Sequence, residues 1–170
     1  MTNENLQGKM ATKNRLALPR LKKIVLNSGT GKARENQKMV DEIRENLALI
    51  SGQKPKITRA KKAIAGFKVR LNDEVGLVVT LRGSRMDNFA HKLAKIVLPR
   101  MRDFRGLSDK GFDYQGNYTL GIPEEIVFPE ISNEKSEILH GLSVSIVTTA
   151  KNPKEGRMLL EELGFPFKRQ

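Results

Sequence analysis

Apolar residues recur every three or four positions through one long stretch of the chain, Ala33 to Ile50. They are Met39, Val40, Ile43, Leu47 and Ile50. Because an α-helix turns once in 3.6 residues, this spacing places them on one side and predicts an amphipathic helix with one buried face. Gly52 and Pro55 follow at the positions where a helix ends. Such a helix must bury its apolar face against another element, so the flanking segments decide the fold class.

Most of the flanking segments have the aliphatic and β-branched composition of strands. Five strands are predicted, at Leu21–Ser28, Lys56–Arg59, Gly66–Leu71, Gly76–Arg82 and Leu142–Thr149. A second helix is predicted from Gly83 to the residue before Pro99, and a final helix from Pro153 to Leu163. Residues 100–123 contain several glycines and are predicted to form an irregular loop, which in a domain of this kind is usually functional or mobile.

The order of these elements predicts an α+β fold. We expect a single domain with a mostly antiparallel sheet, helices packed on one face, and the other face exposed for a binding partner. Asn72 and Asp73 mark the turn of a hairpin that leads into the strand Gly76–Arg82. Since no internal repeat or linker divides the chain, the predicted organisation is a short N-terminal leader, residues 1–18, and one domain, residues 19–170.

The balance of charge indicates a polyanionic partner. The chain has 31 Lys and Arg against 19 Asp and Glu, which gives a net charge of +12 and a pI near 10.1. Nucleic acid and anionic membrane surfaces both fit that charge. An apolar run of about 18 residues is absent, so no transmembrane helix is expected. The N-terminus lacks the apolar centre of a signal peptide, and cysteine is absent. A cytoplasmic protein is the simplest interpretation.

Positive charge is concentrated between Ser51 and Arg70, where there is no Asp or Glu. The cations of this segment are Lys54, Lys56, Arg59, Lys61, Lys62, Lys68 and Arg70. Like charges repel one another, and a polyanion is the commonest reason for keeping them together. The same segment contains apolar residues, among them Ile57 and Ile64, that can anchor it to a fold. Cations in fixed positions favour recognition of a shaped nucleic acid over loose coating.

Enzymatic functions have weaker support. The run Gly29–Lys32 follows a predicted strand and precedes a helix, as a nucleotide-binding phosphate loop does. That motif requires Gly where this chain has Leu26 and Ser or Thr where it has Ala33, so the hydroxyl that ligates Mg²⁺ is missing. Backbone N–H groups of the turn could instead bind an RNA phosphate. His91 and His140 show no metal-binding spacing. We expect no metal, no cofactor and no catalysis.

Four residues near the basic segment suit contact with RNA, and each has an ordinary structural alternative. Asn27 and Gln53 flank the first helix, where an amide could cap backbone groups or bond exposed base edges and ribose hydroxyls. Phe67 could stack on a base, although core packing is the commoner fate of a strand phenylalanine. If Val79 and Leu81 face the core, strand alternation turns Thr80 to the opposite face, where RNA on the sheet would lie.

A series of motifs resembles one known family. In chain order they are PRLKKIVLNSGTGKA, ISGQKPKITRAKKAIAGFKVR, VTLRGSRM, LPRMRDFRGLS, GNYTLGIPEEIVFPEI, VTTAK and GFPFKRQ. They resemble the bacterial-type uL5 family of large-subunit ribosomal proteins over roughly residues 19–170. Each motif alone would be weak, but the ordered series is specific. The leader is shorter and less amphipathic than the N-terminal helix usual in that family.

The resemblance implies a structural protein of the ribosome, not an enzyme. Family members bind 5S rRNA and help to anchor it, together with large-subunit rRNA, in the central protuberance. They also contact the small-subunit head through a protein bridge, and the elbow of P-site tRNA. Other 5S rRNA-binding ribosomal proteins are therefore expected partners, and a membrane is not. The family fold is an antiparallel sheet with helices on one face and an exposed RNA-binding face, in agreement with the fold class predicted above.

The resemblance also assigns roles to residues of this chain. Hydrogen bonds to RNA would come from Asn27, Gln53 and Thr80, and shape and packing from Phe67. The residues expected to hold phosphates are Lys54, Thr58, Arg59, Lys61 and Lys62. The turn expected to face tRNA consists of Arg70, Leu71, Asn72, Asp73 and Glu74, and its two acids stand where family members are often neutral or basic. The loop of residues 105–118 corresponds to the region that reaches the small-subunit head.

The sequence thus predicts a ribosomal protein that binds 5S rRNA in the cytoplasm. A regulatory RNA-binding module that acts away from the ribosome is the alternative, and a nucleotide-dependent enzyme is a third, weaker class. Co-sedimentation with large subunits at high salt would separate the first two. Calorimetry with ATP or GTP would test the third.

Overall fold

The computed structural model describes residues 14–31, 36–131 and 140–168. In these residues the strands are β1 Leu21–Gly29, β2 Lys56–Arg59, β3 Glu74–Leu81, β4 Tyr118–Ile122 and β5 Leu142–Thr148. They form one antiparallel sheet in the order β2-β3-β1-β5-β4. The helices are α1 Gln37–Ser51, α2 Gly83–Lys92 and α3 Pro153–Glu162. A π-helical turn, Leu93–Val97, and a last α-helical turn, Leu98–Arg100, continue α2. The predicted single-domain α+β class is confirmed.

Burial alternates along the strands, as their sequences require. In β1, Leu26 and Ser28 are buried whereas Asn27 and Gly29 are exposed. Strand β5 alternates between buried and half-buried residues over its whole length. Successive side chains of a strand point to opposite faces, so the apolar half of each strand enters the core and the polar half stays outside. The alternate positions of β1 and β5 are exposed or only half-buried, so this face of the strands has less cover than the core face.

Helix α1 confirms the prediction made from the 33–50 periodicity. Its N-cap is Asn36, whose side chain accepts a hydrogen bond from the Lys38 N–H at 3.1 Å. Its C-cap is Gly52 at φ 67°, whose N–H donates to the Ala48 carbonyl at 2.8 Å. The buried face carries Val40, Ile43, Leu47 and Ile50, and the helix contacts β3. Residues 33–35, at the predicted start, lie outside the described residues, as does most of the predicted leader.

Contacts group the described residues into two compact units. Unit 1 contains the described residues up to Ile24, Arg82–Leu120, and those from Ser145 onward. Unit 2 contains the described residues of Val25–Leu81 and Gly121–Val144. The boundary falls within β1, β4 and β5 rather than in a linker.

In unit 1, helix α3 approaches the turn before β4 very closely. A Cβ on Gly156 would collide with the backbone carbonyl of Gly116, so only glycine allows this contact. The Gly116 carbonyl also accepts a hydrogen bond from Thr148 Oγ1 at 3.0 Å. Beside it, the rings of Phe112, Tyr118 and Phe167 form a cluster with centroid separations of 4.6, 5.6 and 5.7 Å. These contacts fix one end of the 100–117 segment.

Two predicted elements are wrong. Strand β4 lies within residues 100–123, which were expected to form an irregular loop. Its alternation of buried Tyr118, Leu120 and Ile122 was missed because glycines, among them Gly121, interrupt the pattern. The segment Gly66–Leu71 is not a strand. It contains a 3₁₀ turn, Ala65–Phe67, after which Lys68 adopts a left-handed conformation at φ 50° that a strand cannot accommodate. The hairpin partner of β3 is β2 instead.

Tyr118 gives the fold a measurable dependence on alkaline pH. Its hydroxyl donates to the Ser108 carbonyl at 2.9 Å, and burial, aided by the charge of Asp109, raises its pKa to about 12. An unfolded tyrosine loses its proton near pH 10. Between pH 10 and 12 only the folded state holds the proton, so we expect stability to fall as pH rises, by up to about 1.4 kcal/mol per pH unit. Urea unfolding of wild type and Tyr118→Phe across this range checks it; equal slopes would contradict it.

Candidate nucleic-acid interface

The β2–β3 hairpin of unit 2 holds the predicted residues Thr58 and Thr80. Thr58 pairs with Gly76 and Lys56 with Val78, and Leu77, Val79 and Leu81 on the alternate positions are buried. Thr80 is exposed, which confirms its predicted orientation away from the core. A Cβ on Gly76 would lie 3.0 Å from the Ser28 carbonyl and 3.1 Å from Thr58 Oγ1. This glycine therefore lets β1, β2 and β3 approach closely on the open face.

Gln53 is joined to Thr80 by a direct contact. Its Nε2 donates to the Thr80 carbonyl at 3.0 Å, across the gap between the end of α1 and β3. The structural alternative considered for Gln53, bonding of backbone, is therefore realised. Gln53 also lines a groove of about 510 Å³ with Lys54, Arg44 and Asp41, and its side chain is only half-buried. Gln53 and Thr80, which were predicted separately, thus lie next to each other.

Asn27 lies on the same open face, one strand away from Thr80. Strands β1 and β3 are neighbours, and Asn27 is exposed between buried Leu26 and Ser28. Helix α1 is capped by Asn36, so its capping does not use Asn27. Asn27 lines a shallow groove of about 460 Å³. The groove's other described lining residues are Gly29, Gly121, Ile122, Pro123, Gly141, Leu142 and Ser143. None of these described residues is charged, so the amide supplies the most versatile hydrogen-bonding group among them.

Residues 60–73 form a projecting arm, here called the basic arm. Its base is closed by the Ala60 N–H to the Asp73 carbonyl at 2.9 Å and the Asn72 N–H to the Ala60 carbonyl at 3.0 Å. Its tip is closed by reciprocal backbone bonds of 2.8 and 3.1 Å between Ile64 and Val69. The arm carries Lys61, Lys62, Lys68 and Arg70, all exposed. The cations are thus presented on hydrogen-bonded backbone, as predicted for this segment.

The basic arm also exposes apolar side chains, two at its tip and Leu71 near its base. Phe67 is 77% exposed, and Ile64 and Leu71 are 50% and 60% exposed. Core packing, the commoner fate proposed for Phe67, is therefore excluded. Phe67 lies on a 3₁₀ turn instead of the predicted strand. An exposed ring among cations offers a face on which an unpaired base can stack.

Asp73 at the end of the arm and Glu74 directly after it both make polar contacts within the protein. Asp73 Oδ2 accepts a hydrogen bond from the Arg70 N–H at 2.8 Å, and Asn72 at φ 69° completes the turn. Arg59 Nη2 lies 3.6 Å from Glu74 Oε1. Both acids of the predicted tRNA-facing turn are thus engaged within the protein. Neither contact is visible in the local sequence, because the first depends on turn geometry and the second on strand register.

The remaining predicted phosphate-binding residues differ in their exposure to solvent. Lys54, Lys61 and Lys62 are exposed, whereas Thr58 is half-buried within β2. Asn27, Gln53, Thr58 and Thr80 all belong to unit 2, as does the entire basic arm. Sequence reasoning missed the groove beside Asn27, since its walls come from segments about a hundred residues further along the chain.

Comparison with known proteins places the chain in a family. Residues 14–70 match the family model described as "Ribosomal protein L5", and residues 74–167 match the model of the C-terminal part of the same family. The chain belongs to the ribosomal protein L5 family. It is 52% identical over 163 residues to "Large ribosomal subunit protein uL5" of Anaeromyxobacter sp. (strain K), covering 96% of this chain and 91% of that protein. It is 55% identical over 156 residues to that of Desulforapulum autotrophicum, covering 92% and 87%.

A third relative shows a similar degree of identity. "Large ribosomal subunit protein uL5c" of Gracilaria tenuistipitata var. liui is 51% identical over 164 residues, which cover 96% of this chain and 92% of that protein. Membership in the family makes the chain a structural constituent of the large ribosomal subunit, located in the ribosome and bound to rRNA. Its relatives are ribosomal structural proteins and not enzymes. Among the described residues, no helix has the length and apolar character needed to cross a membrane.

Proposed function

We propose that this chain binds 5S rRNA through the open sheet face and basic arm of unit 2, and so helps to anchor that RNA in the central protuberance. The observation that carries the proposal is the convergence of Asn27, Gln53 and Thr80. Residues that are 26 to 53 positions apart in sequence lie on or beside one exposed surface. Amides and hydroxyls in such a surface match the base edges and ribose hydroxyls of irregular RNA.

Electrostatics support the same surface. The arm and the residues leading into it present cations on ordered backbone, and phosphate neutralisation supplies much of the affinity in RNA complexes. Phe67 adds a stacking surface at the arm tip, where it is 77% exposed. Because stacking accepts any base, we assign affinity to the cations and Phe67, and selectivity to the hydrogen-bonding groups of the sheet.

Asn27→Ala tests the hydrogen-bonding face. Asn27 is exposed and does not cap α1, so we expect the fold to be unchanged and binding of 5S rRNA to weaken by about 1–3 kcal/mol. Gln53→Ala should weaken binding by a similar amount, with an added local effect because its bond to the Thr80 carbonyl is lost. Filter-binding titrations at fixed salt, with circular dichroism to verify folding, measure both.

Asn88→Ala is the matched control for Asn27→Ala. Asn88 is an exposed asparagine of α2 in unit 1, so its removal should leave the affinity for 5S rRNA unchanged. Unchanged affinity in both Asn27→Ala and Gln53→Ala would defeat the assignment of this face. An equal loss in Asn88→Ala would show that the assay reports a general effect of losing an amide.

The turn Arg70–Glu74 is proposed to face the elbow of P-site tRNA. Leu71 is 60% exposed at this turn, and the Asp73 carboxylate is directed to the Arg70 N–H. That bond fixes the direction of the Asp73 carboxylate within the turn, so the position of its negative charge relative to a bound tRNA phosphate is set. Chemical footprinting of P-site tRNA with and without a charge-neutral turn would test this contact.

The 105–118 loop of unit 1 is proposed to reach a protein of the small-subunit head. Although burial acts in the opposite direction, hydrogen bonds from Asn117 and Gln115 lower the pKa of Asp113 and fix this turn. Tyr114 within it is 95% exposed. An ordered turn that presents a tyrosine suits a protein contact, since Tyr is enriched in such interfaces. Contacts with other 5S rRNA-binding proteins are proposed on the family resemblance alone.

A further inference from the structure

Glu74 is brought opposite Arg59 by an irregularity in the β2–β3 pairing. Thr58 pairs with Gly76, but the next residue, Arg59, pairs with Glu74, so Val75 is the extra residue of a bulge in β3. In a regular ladder Arg59 would oppose Val75. Residues directly opposite in an antiparallel pair point to the same face. The bulge therefore places the carboxylate beside the guanidinium, with Arg59 Nη2 and Glu74 Oε1 3.6 Å apart.

The acid of this pair, Glu74, comes shortly after the end of the cation-rich segment. From Ser51 to Asn72 the chain has no acid, and the first two acids after it are Asp73 and Glu74. Asp73 is used within the turn, where its carboxylate accepts the Arg70 N–H. Glu74 is different, because its carboxylate faces a side chain that is expected to hold phosphate. Arg59 is 61% exposed in this pair, so an incoming phosphate can reach the guanidinium.

We propose that Glu74 is an internal counter-ion of Arg59 which RNA phosphate displaces on binding, so that Glu74 restrains the affinity of the basic segment for RNA. Phosphate and carboxylate compete for the same fork of guanidinium donors. An exposed pair of this kind is weak, so a well-placed phosphate displaces the carboxylate, whereas a poorly placed one does not. The arrangement favours RNA whose shape delivers a phosphate to Arg59. The inference rests on the proposed binding of 5S rRNA.

Glu74→Gln removes the counter-charge and keeps the shape of the side chain. We expect the affinity for 5S rRNA to rise about two- to fivefold, the range that corresponds to losing one exposed ion pair. For an unrelated single-stranded RNA, poly(U), we expect the slope of log affinity against log salt to steepen by about 0.7, because Arg59 becomes available for one more phosphate. In an Arg59→Gln background, Glu74→Gln should produce neither change.

Glu161→Gln is the matched control. It removes one negative charge from a surface pair of unit 1, in which Arg157 Nε lies 2.8 Å from Glu161 Oε1 on α3. Affinity that is unchanged in Glu74→Gln, or that rises equally in Glu161→Gln or in the Arg59→Gln background, overturns the inference while the proposed function stands. Wild-type protein that fails to bind 5S rRNA in a salt-dependent manner overturns both.

Discussion

Replacing Lys54, Lys61 and Lys62 together by Gln is expected to reduce the affinity for 5S rRNA by about 100-fold near 100 mM salt, because each phosphate contact that is lost removes about a fivefold contribution from counterion release and the three factors multiply. The slope of log affinity against log salt should become shallower by about 2 to 3, since each phosphate that is no longer neutralised keeps its counterion. All three side chains are exposed, so the fold should be unaffected. Filter binding at several salt concentrations measures both quantities.

Lys110, Lys151 and Lys154 provide a control with the same change of charge. All three are exposed lysines of unit 1, so replacing them by Gln lowers the net charge by the same amount without touching the basic arm. If position matters, this variant keeps most of the affinity and the salt slope. Equal losses in the two triple variants would mean that only the total charge of +12 attracts RNA, and the basic arm would lose its assigned role.

The parts of the fold that follow from local periodicity were predictable. Helix α1 and strand β5 each have a buried face whose apolar residues recur at a regular spacing in the local sequence. Both elements were found within a few positions of the expected bounds. The segment Gly66–Leu71 was not predictable in this way. Its apolar and basic residues are compatible with a strand, and only the left-handed Lys68 and the Ile64–Val69 bonds turn it into an arm.

The candidate site divides in a similar manner. The exposure of Thr80 follows from the alternation of Val79 and Leu81 and was predicted correctly. The contact between Gln53 and Thr80 joins residues 27 positions apart, and the Arg59–Glu74 pair depends on a bulge. A single sequence contains no local signal for either one. Residue types that suit RNA can thus be recognised from sequence, while their mutual arrangement requires the tertiary structure.

A buried polar cluster in unit 2 carries the second large expected effect. Glu125 is only 1% exposed, and its Oε1 accepts a hydrogen bond from Asn46 Nδ2 at 2.8 Å. Its Oε2 lies 2.9 Å from His140 Nε2. The cluster connects helix α1 with two segments that line the same groove as Asn27. Glu125 lies two residues after Pro123 and His140 directly before Gly141, and both Pro123 and Gly141 line that groove. A carboxylate so far from water needs every partner that it has.

His140→Ala is therefore expected to lower the free energy of unfolding by about 1–3 kcal/mol, the usual cost of leaving a buried polar group without its partner. Urea unfolding followed by circular dichroism measures the loss. Replacing Glu125 and His140 together by Leu removes the uncompensated charge, so this double variant should recover most of the stability. A loss below about 1 kcal/mol in His140→Ala would show that Asn46 alone satisfies the carboxylate. A double variant as unstable as the single one would instead assign the cost to lost packing, and the electrostatic explanation of the cluster would be wrong.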